Sequence, residues 1–266
     1  MTPVDDQTRR DLRDTGLALA EAARAATLLH FRRRDLSAET KDTDRFDPVT
    51  VADRLAEREM RAILAVRRPQ DGILGEEYGA IAGTSGLTWV LDPIDGTRGY
   101  LSGTPTWGVL ISVRDTHGPI WGIIDQPFIG ERFEGGFGRA ETTGPMGSHP
   151  LRTRAARPVD EAVLLSTFPE IGTPSEHAAF RRVADRVRLV RYGMDCYGYA
   201  LLAAGHVDLV IEAGLQAYDV QAPIAVIKAA GGLVTDWQGD LCTEGGQVLA
   251  AANTDIHAAA LALLNP

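Results

Sequence analysis

Apolar residues recur at rough helical spacing from about Thr8 to Phe31: Leu12, Leu17, Ala20, Ala23, Leu28 and Phe31. That spacing predicts a helix. Arg32, Arg33 and Arg34 follow it, where cations complement the helix dipole. The polar run from Ser37 to Asp47 predicts a loop. A second helix is expected from Thr50, with Asp53 as capping partner, ending before Pro69. Short apolar runs predict strands at Gly72–Gly75, Thr88–Leu91, Trp107–Arg114, Ile120–Gln126 and Glu131–Phe137. Gly118-Pro119 is expected to turn a hairpin. The run Gly135-Gly136-Phe137-Gly138 lacks the dinucleotide fingerprint and predicts a hairpin or loop.

From Arg139 to His149 the composition shifts to Gly, Thr, Pro and Ser, which sets the expected boundary between two halves, 1–145 and 146–266. The second half then alternates. Strands are expected at Ala162–Ser166, Arg188–Tyr192, Val207–Glu212, Leu233–Asp236 and Val248–Ala251. Helices are expected at Ser175–Val187, Cys196–Ala204, Val220–Ala230 and Thr254–Leu264. Such alternation predicts an α/β layered fold.

Composition narrows the function. With 266 residues, 44% of them hydrophobic, the chain can bury a large core. A net charge of −9 opposes binding to polyanions and argues against nucleic acid as a partner, and against a nucleic-acid role for the arginine triplet. No apolar run reaches the length of a membrane span. The N-terminus lacks the basic and apolar regions of a signal peptide, and the two cysteines, Cys196 and Cys242, form no metal-spaced pair. A cytoplasmic protein is the expectation.

The most informative segment is Trp89-Val90-Leu91-Asp92-Pro93-Ile94-Asp95-Gly96-Thr97. An apolar run delivers two carboxylates, with the Ile94 carbonyl between them, to a Gly-Thr pair able to start a helix. Carboxylates and carbonyls suit hard cations such as Mg²⁺. Free N–H groups at a helix start attract phosphate. Three further segments bring acids to element ends: Ile73-Leu74-Gly75-Glu76-Glu77, Asp47-Pro48-Val49-Thr50-Val51-Ala52-Asp53 and Ala217-Tyr218-Asp219-Val220. Read alone, each acid fits capping, a turn or solvation equally well. Asp219 could be only a helix cap, Asp47 a turn residue before Pro48, and Asp195 an N-cap before Cys196.

Taken in order, the DPVTVAD, GEE, WVLDPIDGT and late YD segments, with the apolar helix that ends at Gly231-Gly232, resemble the inositol monophosphatase family of Mg²⁺-dependent, Li⁺-sensitive phosphatases. The resemblance runs from about Lys41 to Asp236. It is most like the histidinol-phosphate phosphatase branch, through Arg98–Gly103 and Asp195–Asp208. It implies alternating helix and sheet layers, an α+β sandwich with the site between the halves, a small phosphorylated substrate and a homodimer. It also implies about two or three Mg²⁺ ions per site. Glu76, Asp92 and the Ile94 carbonyl would hold one ion, and Asp92, Asp95 and Asp219 a second. Asp47 and Thr97 would activate water, and Glu76 is counted with them as catalytic. Gly96 and Thr97 would cradle phosphate, while Arg98 would touch it or face solvent. Glu77 would support its loop.

Asp195 and Glu212 are the expected selectivity residues, because acids at the far end of a pocket suit a cationic leaving group such as histidinol. A polyol could use the same acids through its hydroxyls, so inositol monophosphatase remains an alternative. The Gly-Thr-Arg-Gly-Tyr stretch keeps 3′-phosphoadenosine 5′-phosphate as another. A metal-holding regulatory protein of the same fold is the non-enzyme alternative.

Overall fold

The computed structural model describes residues 4–34, 38–40 and 48–266. Two helices, α1 (Asp6–His30) and α2 (Val51–Arg67), cover one face of an eight-stranded sheet. A short α3 (Thr97–Ser102) lies at the sheet's edge of the cleft, and α5 (Asp195–Ala203) and α6 (Ala217–Ala229) cover the opposite face. On the other side of α5 and α6 lies a five-stranded sheet, backed by α4 (Pro174–Ala184) and α7 (Thr254–Leu264). The order is helix, sheet, helix, sheet, helix.

Strand patterning follows from these layers. In strand Gly108–Asp115, Val109, Ile111 and Val113 pack toward α1 and α2, while Leu110 packs toward α5 and α6. Both faces are covered, so the run from Val109 to Val113 is apolar except at Ser112 rather than alternating. Strand Leu209–Gln216 divides likewise, with Leu209 and Ile211 toward α4 and α7 and Val210 toward α5 and α6. Helix α6, buried on most sides between the sheets, is mostly apolar, with Asp219 in its first turn and Lys228 in its last.

The expected helices and strands are present, with local differences that include an unexpected edge strand, Gly79–Ile81. The hairpin after Gly108–Asp115 turns at Thr116 and His117, since Asp115 pairs with Gly118 and Gly118 already opens the next strand. Its φ of 120° explains the glycine there. The stretch Arg139–His149 is paired rather than irregular: Arg139–Gly144 and Gly147–Pro150 add two antiparallel strands to the first sheet. Position 145 therefore falls in a hairpin turn, and the chain leaves the first sheet only after Pro150. Residues 41–47, most of the expected polar loop, lie outside the described residues; 38–40 pair with 48–50. The turn at Phe137-Gly138 joins the strands on either side as a hairpin, as its glycines suggested. Among the described residues no helix is long and apolar enough to cross a membrane.

Candidate active site

Strand Thr88–Asp95 lies inside the first sheet, between Gly72–Gly75 and Gly108–Asp115, and its C-terminal end forms the floor of the site. The register slips between Asp92 and Asp95. Asp92 Oδ1 accepts the Ile94 amide at 3.0 Å, which bends the intervening Pro93 segment. The Ile94 side chain is anchored among Phe31, Ala52, Tyr100 and Trp107. Its carbonyl accepts the Thr97 hydroxyl at 3.1 Å. Gly96 then turns at φ 83° into α3. The Tyr100 hydroxyl donates to the Thr27 carbonyl at 2.6 Å and ties this corner to α1.

Around that floor gather acids from distant segments. Asp92, Asp95 and Asp219 offer carboxylate oxygens within 4.8 Å of one another. They line a cavity of about 300 Å³ together with Glu76, Ile94, Gly96, Thr97, Asp195 and Glu212. Every expected site residue except Asp47 therefore meets in one place; Asp47, like Lys41, lies outside the described residues. Asp219 resolves its two readings by serving both. It is the N3 residue of a capping box on α6, accepting the Gln216 amide at 2.7 Å, and it also belongs to the acid cluster.

The electrostatics suit a cation. Burial, and then the neighbouring Glu76, Asp95 and Asp219, push the Asp92 carboxyl well above the ordinary carboxylate range. Burial and the nearby Asp195 and Asp219 do the same to Asp95, opposed by the hydrogen bond from the Cys196 amide. Such a cluster binds protons tightly because like charges repel at low dielectric. A hard divalent ion relieves the same repulsion, and all the donors here are oxygens. The residues present fit Mg²⁺.

Deeper in the cavity, Glu212 is buried. It accepts the Thr167 amide at 2.9 Å, the Thr167 hydroxyl, and the Tyr199 hydroxyl at 2.8 Å. Burial nevertheless raises it to about 7. Asp195 sits in the left-handed region at φ 46°, its carboxylate accepting the Thr106 hydroxyl at 3.2 Å. Burial raises this carboxyl also. It begins α5 but makes no side-chain cap there, so its capping alternative is not what the geometry uses. Arg98 is exposed and stacks over the Phe168 ring at 5.1 Å, spanning the mouth of the cavity between the two sheets.

Several site residues escaped the sequence reading. Asp53 was expected only as a cap, and it is one: its Oδ2 accepts the Thr50 amide and hydroxyl at 2.9 and 2.6 Å. Its Oδ1 also lies 3.4 Å from the Thr97 hydroxyl. The capping-box spacing was visible; the second contact depends on how α2 crosses the sheet. Thr167 and Tyr199, which hold Glu212, carried no motif at all.

An acid cluster at the end of an interior strand, beside a helix start, suits metal-assisted hydrolysis of a phosphate ester. The sequence matches the model for the inositol monophosphatase family over residues 9–265, and the chain belongs to that family of metal-dependent phosphatases. It is 37% identical to the bifunctional phosphatase IMPL2, chloroplastic, of Arabidopsis thaliana, over 97% of this chain and 78% of that one. It is 35% identical to the histidinol-phosphatase of Streptomyces coelicolor, over 93% and 94%. The solved inositol monophosphatase of Zymomonas mobilis superposes with a TM-score of 0.86 at 35% identity, covering 98% of this chain and all of that one.

Proposed function

We propose that this phosphatase is Mg²⁺-dependent and hydrolyses L-histidinol phosphate to L-histidinol and phosphate, a step of histidine synthesis. The observation that carries the substrate reading is the pair of acids, Asp195 and Glu212, lining the cavity that the metal-type cluster floors. A protonated amine meeting these carboxylates gains charge-assisted hydrogen bonds. Relatives named histidinol-phosphatase, similar over nearly their whole length, support it.

Glu76, Asp92, the Ile94 carbonyl, Asp95 and Asp219 are the proposed ligands for about two or three ions. Bound Mg²⁺ would lower the pKa of attacking water and offset charge on the phosphate and leaving oxygen. Thr97 takes the water proton as its own hydroxyl proton passes to a neighbouring carboxylate. The family resemblance assigns that carboxylate to Asp47; in the described structure Asp53 Oδ1 lies 3.4 Å from the Thr97 hydroxyl, which donates to the Ile94 carbonyl. The amides at the start of α3, from Gly96 and Thr97, face the phosphate position. Asp195 and Glu212 orient the alcohol so that its oxygen departs in line.

Inositol phosphate is the second reading, favoured by the Zymomonas mobilis likeness and by the capacity of Glu212 to accept hydroxyls. A phosphate-release assay on histidinol phosphate, inositol 1-phosphate and 3′-phosphoadenosine 5′-phosphate, with and without Mg²⁺, separates them. Histidinol phosphate is expected to show the highest kcat/KM, and a preference for either other ester rejects the assignment. A cytoplasmic homodimer completes the proposal on family resemblance, and light scattering of the purified protein tests the dimer.

A further inference from the structure

We propose that Glu57 is a positioning residue for the metal site: with Arg61 it fixes the turn that presents Glu76. The proposal rests on the reading of Glu76 as a metal ligand. Glu76, Glu77 and Tyr78 connect strand Gly72–Gly75 to the edge strand Gly79–Ile81. That edge strand is short and exposed throughout, so packing does little to hold the turn. On the inner side, the Glu76 amide donates to the Leu91 carbonyl at 3.2 Å.

The other side is held by Glu57. It lies on α2, fully buried, one helical turn after Asp53, so the two acids share the helix face turned to the site. Its Oε2 accepts the Glu77 amide at 2.7 Å and its Oε1 accepts the Tyr78 amide at 3.2 Å. Arg61, one turn further on, pairs with the same Oε1 at 2.7 Å and donates to the Gly79 carbonyl. The carboxylate thus sits in a nest of two successive amides, and its arginine takes the carbonyl that closes the turn.

A buried carboxylate is costly unless paired and hydrogen-bonded, and an apolar residue would fill this space without that cost. What an apolar residue cannot do is bind the two amides on the C-terminal side of Glu76. Gly75 completes the fit, since a Cβ there would overlap the Glu57 carboxylate and crowd the Arg61 guanidinium. Its φ lies outside the left-handed region, so alanine is permitted by the backbone and excluded by the Glu57–Arg61 pair. Gly75 next to Glu76 is therefore explained by the room Glu57 needs.

The test is calorimetric titration of MgCl₂ into the metal-stripped full chain, for the native protein and for Glu57→Gln, Gly75→Ala and Glu76→Gln. Outer residues that orient metal ligands typically contribute about 10–100-fold in metal affinity. Glu57→Gln and Gly75→Ala are each expected to raise the Mg²⁺ Kd by about that factor. Each should also raise the Mg²⁺ needed for half-maximal phosphate release, with kcat restored at high Mg²⁺ and the circular dichroism spectrum unchanged. Glu57→Gln leaves the Arg61 charge uncompensated, which by itself weakens cation binding. Gly75→Ala changes no charge, so the same loss in both variants assigns the effect to geometry. If Gly75→Ala binds Mg²⁺ as tightly as the native protein while Glu76→Gln has lost affinity, the positioning role is overturned. If Glu76→Gln itself binds as the native protein does, the ligand reading beneath it fails and the proposal goes with it.

Discussion

The Cys196 amide donates to Asp95 Oδ2 at 2.5 Å, joining the end of an interior strand in the first sheet to the first turn of α5. The contact is local to one interlocked corner. Asp195, immediately before Cys196, packs its carboxylate where a Gly96 side chain would be, with a Cβ at Gly96 falling 2.7 Å from Asp195 Cγ. Gly96 also turns at φ 83°. Gly96→Ala should therefore cost about 1–2 kcal/mol from the left-handed backbone alone, before any displacement of Asp195. Chemical denaturation should show that loss, with phosphate release falling at least tenfold. A variant with native stability and turnover would mean that this corner relaxes freely.

Asp92 lies at the centre of the acid cluster and is the proposed bridging ligand. Asp92→Asn is expected to abolish nearly all turnover and Mg²⁺-dependent stabilisation while leaving the fold intact. Removal of crowded negative charge should also raise the thermal midpoint of the metal-free protein. The observation that would count against a two-metal site is unchanged turnover of this variant at saturating Mg²⁺.

Thr97 is tested by comparing two substitutions. Thr97→Ala removes the hydroxyl that reaches Ile94 and Asp53, and should lower kcat by about 10²-fold or more, the range for lost proton handling. Mg²⁺ affinity should change far less, because no carboxylate ligand is lost. Thr97→Ser keeps the hydroxyl and should retain much more activity. Equal impairment of the two would assign the role to the methyl or the backbone.

These variants could be chosen from the sequence because the acids are tied to element ends. The apolar run before Asp92, the capping spacing of Thr50 and Asp53, and the apolar helix after Asp219 all predict where a strand stops or a helix starts. The layered fold was legible for the same reason: strands buried on both faces read as nearly continuous apolar runs. The edge elements were not. Gly79–Ile81 and Gly147–Pro150 are exposed, so no burial pattern marks them. The partners of the acids were equally hidden, because Thr167 meets Glu212 and Glu57 meets Glu77 through tertiary packing that no local spacing encodes.

The raised carboxyls give the metal-free protein a defined pH dependence. An acid whose folded pKa is raised keeps its proton in the folded state after the unfolded chain has lost it. Stability then falls as pH rises through the ordinary carboxylate range and levels off above the folded pKa. For Glu212 the window runs from the ordinary 4.5 to about 7. Metal-stripped protein should therefore lose stability between pH 5 and 7 by this route, and Glu212→Gln should lose less over the same interval. His257, held low by burial, works in the opposite direction but is common to both proteins and cancels. Parallel pH profiles of native and Glu212→Gln unfolding free energies would remove the basis for this effect. Mg²⁺ should stabilise the native protein more at pH 7.5 than at pH 5, because it competes with protons for the cluster.

Substrate choice is the sharpest test of the acidic end of the cavity. Metal and phosphate contacts are common to every ester, so discrimination has to come from groups that meet the alcohol. Asp195, half-buried, and Glu212, buried, are the acids proposed to meet it, and charge-assisted hydrogen bonds to a cationic alcohol contribute about 1.5–3 kcal/mol each, or roughly tenfold or more in kcat/KM. Asp195→Asn is mild for the backbone, since asparagine tolerates the left-handed conformation at φ 46°. Glu212→Gln keeps an acceptor for the Thr167 amide and hydroxyl, and its NH₂ can donate to the Tyr199 hydroxyl in place of the acceptor lost there, while the charge is removed. Both should depress histidinol phosphate hydrolysis by about tenfold or more and leave a generic aryl phosphate nearly unchanged. Tyr199→Phe, which loosens Glu212 without changing its charge, should give a smaller loss in the same direction. Equal losses on both esters in Asp195→Asn and Glu212→Gln would place these acids in support of the metal site or the fold, and the cationic-alcohol reading would fall while the phosphatase remained.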